Sequence, residues 1–357
     1  MLRVGLNGAG RIGRALLRLL RDDPEVTVVA VNDRAGAAAV AHLLRHDSIH
    51  GPFPGRVEAL DGDRLVVGER ELAFGSAAEP CASFWRRHEV SVVIEATGRF
   101  TQGGRAREHL AGGDGLVIVT AVSGDADLTV VPGVEGGRPW IDAREGWRSL
   151  ASRVRGARVV SLASCTTHAA ALPLAVIDER FGIEAAEMTT VHCTTGSQPT
   201  IDGPHPDPRR SRSALLSMIP TTTSAARGLV EVLPALAGRL SCLAVRVPTA
   251  TVSLVEIVAH TRGPLPDRSR IAEAFEQPAA GALAGLLGTT GEPLVSIDFR
   301  GDPHSAVVDL LLVERPGDRL LRVVAWYDNE WGYANRVADL LRVLAGSFPG
   351  AGRGGGT

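Results

Sequence analysis

The chain has 357 residues, of which 45% are apolar and 22% are charged. This length and composition are typical of a soluble globular protein with two or three domains. The formal net charge is −2, so electrostatics give no reason to expect binding to nucleic acid or to an acidic membrane surface. No apolar run reaches the roughly 18 residues of a membrane span. The first residues lack the layout of a secretion signal, and the cytoplasm is therefore the predicted location.

The first part of the chain alternates buried strands with helices. An apolar strand at 2–7 leads into a glycine-rich turn, and leucines at helical spacing follow until Pro24. The pattern continues with strands at 26–33, 90–98 and 115–122, helices at 37–47 and 104–111, and short alternating strands at 56–59, 64–68 and 71–74. Continuous apolar strands alternating with helices indicate a doubly wound parallel sheet, and hence an α/β domain.

The second part of the chain has a different pattern. A helix at 166–181 is followed by a long strand at 183–195 and by a loop at 196–213 that is rich in Pro, Gly and Arg. A loop of that length is usually functional or interfacial. The remaining predicted elements are a helix near 223–233, strands at 241–247, 251–262, 305–313 and 319–327, and a last helix at 331–345. This order predicts an α+β domain with a mixed or antiparallel sheet.

A dinucleotide-binding fingerprint lies between the first strand and the first helix. Gly8, Gly10 and Gly13 form G-x-G-x-x-G in the strand–turn–helix context that the fingerprint requires. A second strand ends at Asp33, 20 residues beyond Gly13, where a carboxylate can accept hydrogen bonds from the adenosine ribose. The alternative is a tight turn with Asp33 as a helix cap, but both features in register favour a bound dinucleotide.

The choice between the two nicotinamide cofactors depends on neighbouring charges. Asp33 favours NAD, because a carboxylate repels the 2′-phosphate of NADP. The adjacent Arg34 could bind that phosphate, so NADP is not excluded. NAD is the predicted cofactor. The four cysteines are widely spaced, form no metal-ligand pairs and predict no metal site.

A candidate nucleophile stands where a strand-like segment meets the helix at 166–181. Cys165 lies at that junction, and a helix N-terminus is expected to lower the pKa of a thiol through its dipole. His192, on the following strand, is the candidate base, because a helix and a return strand would bring it back to Cys165. The alternative for each residue taken singly is a buried cysteine without reactivity and a core histidine.

Seven motifs occur in the order seen in phosphorylating glyceraldehyde-3-phosphate dehydrogenases and in the related erythrose-4-phosphate dehydrogenases. They are NGAGRIGR, ATGRF, SCTTH, MTTVHCTT, IPTTTSAA, RVPTATVS and WYDNEWGYANR. The chain resembles this family from residue 2 to about 345. The resemblance implies that Cys165 is the nucleophile and His192 the base. It also implies a Cys165 thiohemiacetal that is oxidised to a thioester, which phosphate then cleaves, or water in the erythrose-4-phosphate enzymes.

The resemblance also implies the residues that bind ligands. Thr195 and Arg246 would hold the substrate phosphate, and the attacking phosphate would lie among Ser164, Thr166, Arg210, Thr223 and Ser224. Hydroxyl groups and guanidinium groups suit phosphate oxygens, although each threonine alone could simply be a strand residue. The implied cofactor-binding residues are Asn7, Gly8, Gly10, Arg11, Ile12, Gly13, Asp33, Arg34, Thr97, Gly98, Thr120, Asn329 and Tyr333.

Several positions depart from the family pattern. His168 stands where the family has asparagine, Ala9 replaces a phenylalanine, Leu162 an asparagine and Ser224 a glycine, and the segment 133–156 is atypical. His168 is either a second titrating group near the thiol or a polar substitute that bonds as the amide would, and we favour the second interpretation. Ser224 bears on whether phosphate or water resolves the thioester.

The resemblance predicts a Rossmann NAD-binding domain at 1–164, to which a helix at 329–345 returns, and a catalytic domain at 165–328. The glycine-rich composition of residues 346–357 predicts a disordered tail. It implies a homotetramer with the loop at 196–213 at a subunit interface. The predicted function is NAD-dependent phosphorylating oxidation of glyceraldehyde 3-phosphate. Alternatives are an erythrose-4-phosphate dehydrogenase, an inhibitor-tolerant or pathway-specific paralogue acting on another phosphorylated aldehyde, and a nucleotide-binding scaffold without catalysis.

Overall fold

The computed structural model describes residues 1–110, 113, 115–196 and 198–346. The chain falls into two compact units. Among the described residues, the first unit comprises those within 1–130, 147–163 and 334–346, and the second those within 131–146 and 164–333. Beyond Gly346, the predicted disordered tail lies outside the described residues.

The elements are named in chain order. The strands are β1 Leu2–Asn7, β2 Val26–Asn32, β3 His46–Asp47, β4 Gly51–Pro52, β5 Val57–Leu60, β6 Arg64–Val67, β7 Arg70–Gly75, β8 Val92–Glu95, β9 Leu116–Val119, β10 Leu128–Thr129, β11 Val134–Glu135, β12 Arg138–Pro139, β13 Val159–Ser161, β14 Ile183–His192, β15 Ile219–Thr221, β16 Leu240–Arg246, β17 Ser253–Thr261, β18 Leu287–Thr290, β19 Ala306–Asp309 and β20 Leu320–Tyr327. The helices are α1 Arg11–Leu19, α2 Ala37–Arg45, α3 Ala82–Arg87, α4 Ala143–Arg155, α5 Cys165–Phe181, α6 Ala225–Val232, α7 Arg268–Ala280 and α8 Trp331–Ala345.

The sheet of the first unit confirms the predicted doubly wound α/β fold. Its strand order is β10-β13-β9-β8-β1-β2-β7-β6-β5, and β1 pairs in parallel with both β2 and β8. The strands β5, β6 and β7 form the predicted meander, because they pair antiparallel. The carboxyl ends of the central strands meet at one edge, where ligands bind in such sheets.

The sheet of the second unit is mixed, which confirms the predicted α+β class. Its strand order is β15-β16-β14-β17-β20-β19-β18. The pairs β14–β16 and β18–β19 are parallel, whereas β17 is antiparallel to both β14 and β20. The predicted long strand ends at His192 rather than at Thr195, so the histidine occupies the carboxyl end of β14.

Helix α5 is the central helix of the second unit. All residues from Thr166 to Ile177 are buried. An apolar surface on all sides is typical of a helix enclosed by protein rather than one that lies at a surface. Pro173 stands within the helix, where it removes one backbone donor.

The segment 131–146 differs from the prediction. It was expected within the first domain but belongs to the second unit, because the hairpin of β11 and β12 packs on α5. The boundary of the last helix also differs, since residues before 334 group with the second unit. These differences arise from contacts between segments that are distant in sequence, which local patterns do not contain.

Two helical segments also differ from the sequence-based prediction. The predicted helix at 104–111 is a 3-10 helix at Arg105–His109. Helix α7 was not predicted, because its buried face consists only of Ile271, Ala274 and Phe275 and it contains Pro278. Within the described ranges, no helix combines the length and apolar character needed to cross a bilayer.

Candidate active site

A cavity of about 500 Å³ lies in the first unit beside the glycine-rich turn. Its lining residues are Asn7, Gly8, Gly10, Asn32, Asp33, Arg34, Ala35, Ala77, Ala78, Ala96, Thr97, Arg99 and Phe100. Helix α1 begins directly after Gly10, so its N-terminal amides border the cavity. A helix N-terminus attracts phosphate groups through its dipole and free N–H groups.

The glycines of the turn have distinct reasons to be glycine. Gly8 has a φ of +99°, and a side chain there would approach the backbone of Ala96 and Thr97 to 2.9 Å. A Cβ at Gly13 would overlap the carbonyl oxygen of Gly8, while one at Gly10 would meet open space. The absence of a side chain at Gly10 therefore leaves open space in the cavity beside the backbone. A turn with this close packing and this open wall fits a dinucleotide.

Asp33 stands at the end of β2 on the cavity wall. One carboxylate oxygen accepts a hydrogen bond from the Ala9 N–H at 2.7 Å, and the other accepts from the Ala35 N–H at 2.8 Å. These bonds hold the carboxylate between two loops of the cavity. Each oxygen keeps a further lone pair for a ligand hydroxyl.

The structure brings part of the predicted cofactor set to this cavity. Asn7, Gly8, Gly10, Asp33, Arg34 and Thr97 line it, whereas Arg11, Ile12, Gly13, Gly98 and Thr120 do not. Asn329 and Tyr333 belong to the second unit. Among the described residues, no cluster of three or more His, Cys, Asp or Glu side chains is placed to hold a metal ion.

Cys165 is the first residue of α5. The helix is capped by Ser164, whose hydroxyl oxygen accepts from the Thr167 N–H at 3.1 Å. The Ser164 side chain thereby satisfies one of the free N–H groups in the first turn of the helix. The predicted position of Cys165 at a helix start is therefore confirmed.

The candidate base faces this thiol. Sγ of Cys165 lies 3.7 Å from Nε2 of His192, which is 4% exposed at the end of β14. On the other side of the ring, Nδ1 lies 2.8 Å from the carbonyl oxygen of Cys193. That carbonyl can only accept, and in the tautomer with the proton on Nδ1, which bonds to it, the lone pair of Nε2 is directed at the thiol.

Arg246, on β16, lies against the same carbonyl. Its Nη1 donates to the oxygen of Cys193 at 3.1 Å and also contacts Nδ1 of His192. In the tautomer with the proton on Nδ1, both groups donate to the shared Cys193 carbonyl. The guanidinium is thereby held beside the imidazole.

The pKa values follow from this enclosure. Burial, with the charge of Arg246 acting in the same direction, lowers the pKa of His192 to about 3. Burial also raises the pKa of the Cys165 thiol, although Arg246 opposes that change. The lowering predicted from the helix start is present through the backbone N–H of Thr166, but burial outweighs it, and the net shift of the Cys165 pKa is upward, contrary to the prediction. Both shifts favour the neutral forms of the thiol and the imidazole, so that the thiolate forms with the help of a base.

We expect this buried imidazole to make the fold acid-sensitive. The pKa of His192 is about 3 when folded and about 6.5 when unfolded. Its protonation in the unfolded chain thus removes stability as the pH falls below 6.5. Between pH 6.5 and 4 the loss is about 3 kcal/mol, which urea unfolding at each pH measures.

His192→Asn is the matched variant for this effect. As the pH falls from 6.5 to 4, the wild type should lose about 3 kcal/mol more of its free energy of unfolding than His192→Asn does. The carboxyl groups with lowered pKa values, such as Asp23, Asp47 and Asp127, lose their contribution below their unfolded pKa of about 4. Parallel curves for the two proteins between pH 6.5 and 4 would contradict the buried neutral histidine.

The hydroxyl groups near the thiol bond to a tyrosine. Thr166 Oγ1 lies 4.0 Å from Sγ of Cys165 and 3.0 Å from the hydroxyl of Tyr327. That hydroxyl is also 2.9 Å from Thr190 Oγ1, and the Tyr327 ring meets His192 edge to face. Burial raises the pKa of Tyr327 far above its usual value, so it remains a neutral support of the site.

A second guanidinium lies near Arg246. Burial lowers the pKa of Arg246, the anionic forms of Cys165, Tyr327 and Cys193 oppose that change, and the charge of Arg210 adds a smaller lowering. Two neighbouring cations favour an anion between or beside them. The predicted phosphate ligands Arg210 and Arg246 thus carry like charges that act on each other.

The other predicted phosphate ligands have local roles as well. Thr223 Oγ1 accepts from the Ala225 N–H at 3.1 Å at the start of α6, while Ser224 is exposed and makes no cap bond with its side chain. Thr195 N–H donates to Gln198 Oε1 at 3.2 Å. Ser224 is therefore the hydroxyl that the fold leaves most accessible.

Asn329 is buried in the second unit. Its Oδ1 accepts from the Cys193 thiol at 3.1 Å and lies 3.3 Å from the Ser253 hydroxyl. These bonds orient the amide. Nearby along the chain, Tyr333 lies with its ring centroid 5.3 Å from that of His168, which is also buried.

The sequence patterns did not predict some residues of the site. Tyr327 lies 161 residues from Thr166, so no local pattern relates them. Cys193 stands within one of the motifs and Glu95 directly before another, but their partners Asn329 and Asn7 lie 136 and 88 residues away. Glu95 gave one signal, since a charged residue in an otherwise apolar strand must find partners when buried.

A dinucleotide-binding unit joined to a unit with a thiol–imidazole pair defines the class of nicotinamide-dependent oxidoreductases that act on aldehydes. Residues 2–103 match the NAD binding domain of glyceraldehyde 3-phosphate dehydrogenase, and residues 164–329 match its C-terminal domain. The chain belongs to the glyceraldehyde 3-phosphate dehydrogenase family.

Individual relatives are similar over nearly the whole chain. Glyceraldehyde-3-phosphate dehydrogenase 2 of Bacillus subtilis is 41% identical over 96% of this chain and 97% of its own length. The enzyme of Kitasatospora aureofaciens is 42% identical over 97% of this chain and 99% of its own. The chloroplastic GAPB of Arabidopsis thaliana is 39% identical over 98% of this chain and 76% of its own.

Proposed function

We propose that the protein catalyses the NAD-dependent, phosphorylating oxidation of glyceraldehyde 3-phosphate to 1,3-bisphosphoglycerate. The observation that carries this proposal is the 3.7 Å approach of Sγ of Cys165 to Nε2 of His192. The guanidinium of Arg246, which is held beside His192 by the Cys193 carbonyl, supports an anionic substrate. The names of the relatives support the triose phosphate as that substrate.

The first chemical step forms a bond between Cys165 and the aldehyde carbon. His192 Nε2 accepts the thiol proton as the carbon–sulfur bond forms, because its lone pair faces the thiol. The product is a thiohemiacetal on Cys165. Its oxyanion would be stabilised by protonated His192 and by the backbone N–H at the helix start.

The second step removes two electrons from the thiohemiacetal. His192 first returns its proton to the oxyanion, which becomes the hydroxyl group, and then accepts that proton again as the hydride leaves and the carbon becomes a thioester. The nicotinamide of the bound cofactor supplies the hydride acceptor. Phosphate then attacks the thioester carbon, the carbon–sulfur bond breaks, and Cys165 is released as a thiolate with the acyl phosphate as product. Only a free thiol can begin this cycle, so the reducing cytoplasm remains the proposed location.

The phosphate of the substrate also acts on the base. The charge of Arg246 contributes to the low pKa of His192. A bound phosphate dianion would offset that charge and raise the pKa of His192 towards the working pH. Substrate binding would therefore prepare His192 for proton transfer.

Absorbance at 340 nm tests the proposal. The assay combines NAD with glyceraldehyde 3-phosphate or erythrose 4-phosphate, each with and without inorganic phosphate. We expect the largest kcat/KM for the triose and a requirement for phosphate. Greater turnover of erythrose 4-phosphate would contradict the triose as the substrate. Equal turnover without phosphate would show that water rather than phosphate cleaves the thioester. A protein that binds NAD but oxidises neither aldehyde would contradict the enzymatic proposal.

We infer that NAD is preferred over NADP, because Asp33 lies on the cavity wall. We expect Asp33→Ala to weaken NAD binding by about 10-fold or more, since a hydrogen bond to a charged group contributes about 1.5–3 kcal/mol. NADP binding should change little, because loss of the carboxylate also removes repulsion of the 2′-phosphate. Titration calorimetry with both cofactors measures the difference.

Arg34→Leu is the matched control for Asp33, since it changes the next residue of the same wall. It should weaken NADP binding and leave NAD binding within about twofold, because a rim charge alone contributes little. Equal losses of NAD and NADP affinity in Asp33→Ala would reject the assigned role of the carboxylate.

We also propose that the protein is a homotetramer. The segment before β15 exposes Leu215, Leu216 and Met218 at 60%, 84% and 76%. Contiguous exposed apolar side chains mark interaction surfaces, and the predicted interface loop at 196–213 leads directly into this segment.

The double substitution Leu216→Glu with Met218→Glu tests this surface. We expect light scattering after size exclusion to give four chains per particle for the wild type and fewer for the variant. Burying a carboxylate at an apolar interface is strongly unfavourable. Ile141→Glu is the control, because Ile141 is 95% exposed elsewhere in the second unit. A tetrameric double variant, or a monomeric wild type, would rule out the proposed interface.

A further inference from the structure

A carboxylate with no exposed surface lies behind the dinucleotide cavity. Glu95, the last residue of β8, has a side chain that is 0% exposed, as is that of His109. Neither residue lines the cavity. A buried carboxylate is costly unless hydrogen-bond donors surround it, so the partners of Glu95 decide what it contributes.

Donors surround both oxygens of Glu95. Oε1 accepts from the N–H of Thr97 at 2.8 Å and from its hydroxyl. Oε2 accepts from Asn7 Nδ2 at 2.5 Å and lies 3.1 Å from Nε2 of His109. These donors match a carboxylate in its acceptor-only form.

The tautomer of His109 follows from its other neighbour. The indole N–H of Trp85 lies 3.0 Å from Nδ1 of His109, and an indole can only donate. Nδ1 is therefore the acceptor, and the ring proton is on Nε2, where it points at Glu95. The imidazole acts as a fixed, neutral donor.

Hydrogen bonds continue from Glu95 to separate walls of the cavity. On one side, Thr97 Oγ1 accepts from the Arg99 N–H at 3.1 Å, so the turn that carries both residues is tied to Glu95. On the other side, Asn7 Oδ1 accepts from Asn32 Nδ2 at 2.8 Å. Asn32 Oδ1 in turn accepts from the Ala77 N–H at 2.8 Å.

We propose that Glu95 is a positioning residue for the nicotinamide dinucleotide, acting through Asn7 and Thr97 with His109 as its fixed donor. One buried group connects the turn after β1, the loop after β7 and the turn after β8, all of which line the cavity. This inference rests on the proposal that the cavity holds the dinucleotide. It assigns Glu95 no contact with the cofactor.

Glu95→Gln tests the requirement for an acceptor on both sides. The amide would present N–H groups either to the Thr97 N–H or to Asn7 and His109. His109 cannot switch tautomer to accommodate it, because Nδ1–H would then oppose the Trp85 N–H. We expect the Kd for NAD to rise at least 10-fold by titration calorimetry. The Kd for NADH should rise by the same factor, while kcat at saturating NAD changes less than threefold.

A pair of substitutions at His109 gives an independent test if Glu95→Gln fails to fold. The glutamine side chain can donate to Glu95 and accept from Trp85 at once, as the fixed imidazole does, whereas leucine can do neither. His109→Gln should keep the Kd for NAD within about threefold of the wild type. His109→Leu should raise it about 10-fold.

Val26→Ala is the control for general destabilisation. Val26 is fully buried at the start of β2, and its truncation should lower the melting temperature without changing the Kd for NAD. The proposal is overturned if Glu95→Gln, or His109→Leu where Glu95→Gln does not fold, binds NAD no more weakly than Val26→Ala. It is also overturned by equal losses in the two His109 variants, or by NAD and NADH affinities that change by different factors. A wild type that does not bind NAD would instead contradict the proposed function.

Discussion

Replacing Cys165 with alanine is expected to abolish aldehyde oxidation, with kcat/KM falling by about 10⁴-fold or more. The reason is that the carbon–sulfur bond carries the proposed reaction, and no other described thiol shares the position of Cys165. Its Sγ faces the lone pair of His192 at 3.7 Å, whereas the Cys193 thiol bonds to Asn329. The measurement is NADH formation at 340 nm with glyceraldehyde 3-phosphate, NAD and phosphate.

The matched control for this variant is Cys242→Ser. Cys242 is a free cysteine on β16 in the same unit, and burial raises its pKa to about 11. Its loss should leave kcat/KM within about threefold of the wild type. NAD affinity should be unchanged in Cys165→Ala, because Cys165 does not line the dinucleotide cavity. Residual turnover above one-tenth of the wild-type value would refute Cys165 as the nucleophile.

Replacing His192 with asparagine is expected to lower kcat by about 10²–10⁴-fold at pH 7, the range typical of a lost general base. The pH dependence of the variant is the sharper signature. Because burial raises the pKa of Cys165, only a small fraction of the thiol is ionised without the imidazole. The rate of the variant should therefore climb with pH up to the thiol pKa, by as much as about 10-fold per pH unit.

His260→Asn serves as the control for His192. His260 is half-exposed on β17 and pairs with Glu184 at 3.1 Å, away from the thiol. Its substitution should change neither kcat nor the pH profile. A His192→Asn variant with the wild-type pH profile would show that the imidazole does not accept the thiol proton.

Local sequence patterns predicted much of the site. The order strand–glycine turn–helix placed Gly8 and Gly10 at the cavity, and the spacing to Asp33 placed its carboxylate on the same wall. The helix start at Cys165 was equally local. These predictions succeeded because a turn, a cap and a strand end are determined by residues close together in the chain.

Other properties could not be read from local patterns. The thiol pKa was predicted in the wrong direction, because a helix terminus is visible in sequence while enclosure by distant segments is not. The placement of 131–146 was wrong for the same reason, since its hairpin packs on α5. The hydroxyl of Tyr327 and the carboxylate of Glu95 were missed, because their partners Thr166 and Asn7 lie 161 and 88 residues away along the chain.

The amino-acid sequence by itself determined the family, the two classes of fold and the identity of the thiol and the imidazole, since each depends on motifs that span a few residues. The tertiary structure decided the protonation states at the site and the support behind the dinucleotide cavity. Both depend on desolvation and on hydrogen bonds between distant segments. Arg246 beside His192, and Trp85 beside His109, act only once folding has brought them together.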